Sequence, residues 1–203
     1  EPITFAVKKL SEGIEVAVRW SPFLMGIVIS VVMGIILTLP TSSAAIWVSI
    51  VPLMNPSYEM LLAGGAAVVG CAAHMVGFAV MSFKENGVSG LIAQGLGTSM
   101  LQIPNLVKNP RILIPPIVAS AITGPMATCL FKLKCGATGG GMGTSGLVGV
   151  FSTIEYSTDI STTALVLGII FLFFVLPAVI CFFLGMLLRK IGWIKEGDLK
   201  IKI

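Results

Sequence analysis

The side chains able to do chemistry in this chain are few and mostly uncharged. His74 is the single histidine, and Cys71 shares its helical face at i, i+3. Two ligands fall short of the three or four that a metal site needs, so no metal is expected. The cysteines Cys71, Cys129, Cys135 and Cys181 form no C-x-x-C pair, and three of them fall in apolar runs, where cysteine behaves as a small hydrophobe. No acid lies near His74 in sequence, so serine and threonine hydroxyls lack the base-and-orienter set of a hydrolase. No catalytic residue and no cofactor are assigned, and the chain reads as a non-enzyme.

Neutral polar groups are more concentrated. Gln94, Thr98, Ser99, Gln102 and Asn105 fall within one short stretch, and Thr144 and Ser145 in another. Reciprocal donors and acceptors of this kind suit a small hydroxyl-rich solute; equally, they suit the freed amides of broken helices. The two stretches echo each other: Gly95-Leu-Gly97-Thr98-Ser99 and Gly141-Met-Gly143-Thr144-Ser145 share G-x-G-T-S. Paired interrupted segments point to a transporter's binding site. In each, Thr-Ser could cap a helix N-terminus, where free amides favour a polar oxygen.

GATGGGMGTSGLVG, residues 136–149, also fits G-x-G-x-x-G, with Asp159 downstream. A dinucleotide site would need a preceding strand in a βαβ unit, and a phosphate loop of the Walker type would need a following lysine. Neither is present. The structural glycines Gly95, Gly97, Gly141 and Gly143 are instead expected to allow close backbone turns.

The elements that must position these groups belong in a bilayer. The chain is 56% hydrophobic and 11% charged, with a mean hydropathy of +1.01, against about 25% charged residues in a soluble domain. Uncharged runs cover 22–39, 60–83, 112–131 and 163–188. Each approaches or exceeds the roughly 20 apolar residues that cross the hydrocarbon core. None resembles a cleavable signal peptide.

The expected fold is therefore all-α: a polytopic membrane protein of about four transmembrane helices plus re-entrant hairpins. Residues 1–20 read as an interfacial amphipathic helix, with Ile3, Val7, Leu10, Ile14 and Val18 on one face. Residues 21–190 form the membrane domain, with re-entrant segments near 41–54, 85–110 and 135–154, and residues 191–203 a basic cytoplasmic tail. Ser42 and Ser43 are expected to cap a half-helix, and Pro115, Pro116, Pro125 and Pro177 to bend spans.

Lys8, Lys9, Arg19, Lys84, Lys108, Arg111 and the 189–202 cluster are placed inside, with Glu59, Glu155 and Asp159 opposite, so both termini are expected in the cytoplasm. Lys132 and Lys134 stand outside that scheme. Glu85 reads as a solvated partner of Lys84. No basic cluster is interleaved with aromatics, which excludes nucleic acid as a partner. His74 shares a face with Ala63, Ala67, Gly70 and Gly77. Small residues let a neighbouring helix approach, so it is either an interhelical polar link or a functional group in a cavity.

The run from Val80 to Gly149, VMSFKENGVSGLIAQGLGTSMLQIPNLVKNPRILIPPIVASAITGPMATCLFKLKCGATGGGMGTSGLVG, resembles the EIIC-like permease family of the bacterial phosphotransferase system. So does SPFLMGIVISVVMGIILTLPTSSAA. More narrowly it resembles the stand-alone, perfringolysin-regulator-like branch, and this chain is similar to its C-terminal half. The resemblance implies a bacterial inner-membrane protein, a homodimer, with a solute site between re-entrant hairpins, and a missing N-terminal half as a further partner. It does not extend to sugar phosphorylation, because no soluble phosphoryl-carrier module and no G-I-T-E signature are present. The functional expectation is a permease-like protein that binds or moves a small polar, sugar-like solute by alternating access. A membrane-embedded solute sensor signalling through the basic tail is the alternative.

Overall fold

The computed structural model describes residues 2–51 and 55–201, with side chains from residue 8 onward. The architecture is all-α, with no strand among these residues. It is built around α4 (Tyr58–Met81), whose LLAGGAAVVGCAAHMVG run is buried on nearly every side. Its alanines and glycines let three neighbours reach its backbone. These are α2 (Pro22–Thr38), α7 (Ile114–Pro125) and α10 (Leu176–Lys190).

Among the described residues, three helical stretches are long and apolar enough to cross a membrane: Tyr58–Met81, Pro110–Leu130 and Thr162–Lys190. The last two are continuous through π-helical turns at Met126–Leu130 and Ile170–Val175. Each turn adjoins a proline, Pro125 or Pro177, whose missing N–H removes a rung of the α ladder. The fourth expected span is the shorter α2, whose 17 residues lie at the low end of what a bilayer requires. Ser21 caps its start through the Leu24 amide.

α2 and α4 run parallel, and this corrects the expected distribution of charge. Gly70 lies against Ser30, and further along both helices, in the same direction, Thr38 bonds His74. At the start of the pair Arg19, at the end of α1 (Pro2–Trp20), donates to Glu59 at 3.0 Å, although these residues were expected on opposite sides. The reason is the segment from 39 to 57. It contains α3 (Ser43–Ile50), capped by Ser42 through the Ala45 amide, and it returns from the end of α2 to the start of α4 instead of turning back at one face. Residues 52–54 of this segment lie outside the described residues.

Val18 and Ile14 of α1 do face the core, whereas Leu10 is exposed; the side chains of Ile3 and Val7 are not among those described. Lys134 pairs with Asp159 at 2.6 Å, which accounts for one of the two lysines outside the charge scheme. Glu85 is not a solvated partner of Lys84. Its side chain is nearly buried and paired with Arg189 at 2.9 Å.

Candidate functional site

Two hairpins approach α4 from its opposite ends. The first leaves the end of α4 through α5 (Phe83–Ile92) and a π turn at Ala93–Gly97. It turns at Thr98 and climbs back through a 3-10 turn, Ser99–Gln102, and α6 (Ile103–Lys108). The second starts at Phe131 beside the other end. It runs up α4 from Gly64 to Met75, roughly 17 Å at 1.5 Å per residue, and returns through α8 (Val148–Tyr156). Its mouth is closed where Ser157 Oγ accepts from the Lys134 amide and donates to the Lys134 carbonyl.

The hairpins meet at their tips, on the echoed residues. Thr144 Oγ1 donates to the Gly95 carbonyl at 2.6 Å and lies 3.5 Å from Met75 Sδ. On the adjoining face of α4 runs a polar thread: Ser99 Oγ to Thr38 Oγ1 at 3.1 Å, and Thr38 Oγ1 to His74 Nδ1 at 2.9 Å. Thr38, His74, Ser99 and Thr144 are all fully buried. His74 Nε2 finds no partner among the described atoms. Whichever ring nitrogen carries the proton, the outer one is left as an unanswered donor or acceptor. Gly34 makes room for the ring, since a Cβ there would lie 2.8 Å from Nε2.

The remaining expected polar residues lie elsewhere. Gln94 Nε2 donates to Ser82 Oγ and the Gly90 carbonyl, and Gln102 Nε2 to Gln94 Oε1 and the Leu199 carbonyl. Asn105 Nδ2 donates to Gln102 Oε1 and the Lys200 carbonyl. These amides form a ladder that ties the two arms of the first hairpin to each other and to the chain's last described residues. Thr98 caps the 3-10 turn through the Met100 amide. Its counterpart Thr144 makes no cap bond, its hydroxyl being on Gly95. Ser145 is half-buried and opens the short 3-10 turn that follows.

The glycines of the two echoes also differ. Gly143 has φ +57°, and a Cβ there would lie 2.7 Å from the Ala72 amide; at Gly141 it would lie 2.7 Å from Ala44 Cα. Gly95 and Gly97 have room for a Cβ. Ser43, expected as a cap, instead donates to the Gly141 carbonyl at 2.7 Å.

Besides Thr38, which the sequence reading did not single out, two features escape the sequence pattern. Trp47 of α3 is buried against Gly140, and its indole N–H has no partner among the described residues. Its only signal is a lone tryptophan in an apolar segment, matched by a glycine run that could seat it. The second is the segment after α10, expected as a basic cytoplasmic tail, whose contacts with the helices the sequence reading did not foresee. Ile194 and Leu199 are buried in a cluster with Phe78, Met81 and Ile112, and Ile201 is buried as well. Asn86 adds bonds to the Leu199 carbonyl and the Ile201 amide, and Asn109 to Trp193 and Asp198. Burial raises the Asp198 carboxyl, but the Lys195 amide and Asn109 outweigh it and leave it below the usual range. The alternation of apolar and charged residues in DLKIKI is the signal that could have revealed this strap.

A family model described as "Phosphotransferase system, EIIC" matches the chain over residues 1–201. Comparison with curated proteins and with solved structures returns no match.

Proposed function

The chain belongs to the phosphotransferase-system EIIC family of membrane permease components, and on that premise we propose that it binds and moves a small, neutral, sugar-like solute where its two hairpin tips meet. The observation that carries this reading is the junction itself. Two interrupted segments arrive from opposite ends of a central helix, and their matched sequences touch beside a buried histidine with one nitrogen unpartnered. Non-helical backbone is tolerated at membrane depth where protein or a water-filled cavity satisfies it, and a buried ionisable side chain there is a functional candidate.

The thread is closed over, which corresponds to an occluded arrangement. Parting the tips would break the Thr144–Gly95 bond and free the Ser99 and Thr38 hydroxyls and His74 Nε2 for a solute's hydroxyl groups. Parting from one end or the other gives alternating access. Phosphorylation is assigned no place in this chain's part, because His74 sits inside the thread. Lys84, Lys108, Arg111, Arg189, Lys190, Lys195 and Lys200 gather at the strap end against Glu85, Glu196 and Asp198. This excess supports a cytoplasmic position for the strap end in a bacterial plasma membrane.

The test is a thermal-shift and calorimetric screen of the purified full chain against neutral mono- and disaccharides, repeated with His74→Gln and Ser99→Ala. Stabilisation by one sugar class that both variants lose supports the proposal. Stabilisation that survives in both moves the site elsewhere. A second reading, a solute sensor, is favoured by the strap, since movement of the first hairpin would be felt at Leu199 and Lys200. Sugar binding without flux in reconstituted vesicles would favour it.

A further inference from the structure

A cavity of about 820 Å³ opens between α6 and the strap, lined by Met100, Leu101, Pro104, Lys108, Lys200 and Ile201, with Asn105 and Gly197 completing it. Its size is that of a ligand site. Four of the named lining residues are apolar, two are cationic, and none is acidic. Neither Lys108 nor Lys200 makes an ion pair among the described residues, and both are exposed.

The nearby acids are occupied or face elsewhere. Asp198 accepts from Asn109 and from the Lys195 amide, and Glu85 and Glu196 line a separate cavity with Lys84, Arg189 and Lys195. Asn105 has its N–H groups committed to Gln102 and Lys200. The pocket thus offers two unanswered positive charges above an apolar floor. Its surroundings have the character of a membrane–water boundary. Trp193 is half in solvent with the Arg111 guanidinium 5.1 Å from its ring centre, and Val107 is 81% exposed on the neighbouring surface of α6. Amphipathic aromatics and basic side chains concentrate at headgroup level.

We infer that this pocket binds an anionic phospholipid, its phosphate between Lys108 and Lys200 and its acyl chains over Leu101 and Met100. Phosphate between the two lysines would relieve their mutual repulsion and fasten the strap, which carries Lys200, to the return arm of the hairpin, which carries Lys108. Basic pockets on the cytoplasmic side recognise lipid headgroups in this manner. The inference does not depend on which solute the hairpin tips take.

The experiment is a native mass-spectrometry titration of the full chain in detergent with phosphatidylglycerol, and separately with phosphatidylcholine. The expected result is that Lys108→Gln/Lys200→Gln weakens the first phosphatidylglycerol about tenfold and leaves phosphatidylcholine unchanged. The control pair Lys84→Gln/Lys195→Gln, at the same end but lining the other cavity, should change neither. The inference is overturned if the control pair loses as much, if the Lys108/Lys200 pair loses nothing, or if inorganic phosphate at matching concentration displaces the lipid. Both lysines are exposed, so the variants should fold normally, and an unchanged thermal midpoint in phosphatidylcholine checks this.

Discussion

The two hairpins carry the same five-residue pattern at their tips and are held by opposite means. The second, from Phe131 to Ser157, is fixed by close approach. Its glycines from Gly136 to Gly143 lie where α3, α4 and α8 leave no room for a Cβ, and Gly143 adds a left-handed backbone. The first, from Phe83 to Asn109, has space around Gly95 and Gly97 and is fixed by amide side chains and by the strap. A steric lock resists small displacements steeply, because packed interiors tolerate little overlap. A hydrogen-bonded ladder can exchange partners with water at modest net cost. On the proposed mechanism, the difference makes the first hairpin the part that would move and the second the part it would move against.

The largest effect should come from breaking the steric lock. Gly143→Val combines a positive φ with overlap onto the Ala72 and Cys71 backbone, costing roughly 1 to 3 kcal/mol for strain and about as much again for overpacking. Gly97→Ala should stay within about 0.5 kcal/mol of the parent. Thermal unfolding in detergent compares them; equal losses would remove the asymmetry between the hairpins.

Next comes the ladder. Gln102→Leu leaves Gln94, Asn105 and the Leu199 carbonyl each short of a partner, a loss of about 1 to 3 kcal/mol. It should also release the strap, read as faster tryptic cleavage at Lys195 and Lys200. Destabilisation without faster cleavage would show that the apolar insertion of Leu199, not the ladder, holds the strap.

The smallest effect is electrostatic. Lys134 holds the Asp159 carboxyl below its usual range at the mouth of the second hairpin. Its stabilisation is therefore complete above the unfolded value, about pH 4, and is lost as pH falls through the folded one. Asp159 is mostly exposed, so a shallow fall in thermal midpoint on acidification is expected, flattened in Asp159→Asn. A steep fall unaffected by Asp159→Asn would put the acid-sensitive group elsewhere, with Asp198 on the strap the next to test.

Much of this arrangement is legible in the sequence because local rules govern it. The small residues of α4 announce a helix that others approach closely, and G-x-G-T-S marks both tips. The neutral polar groups were visible too, but not their division. Spacing alone cannot tell that Ser99 joins Thr38 and His74 and that Thr144 reaches Gly95, while Gln94, Gln102 and Asn105 turn to the strap. The parallel course of α2 and α4 was hidden because it depends on how residues 39–57 cross, a long-range matter with no periodic signal. Charge counting placed Arg19 and Glu59 apart because it assumes that successive spans alternate.

The most direct measurement of the central claim is a disulfide between the tips. Gly95→Cys/Thr144→Cys joins positions now linked by the 2.6 Å bond, and mass mapping separates this bridge from any involving the native cysteines. Mild oxidation without sugar should form it rapidly, and any sugar that raises the thermal midpoint should change its rate severalfold by altering how often the tips part. If the bridge forms at the same rate with and without a stabilising sugar, or does not form at all, the hairpin tips are not the solute gate.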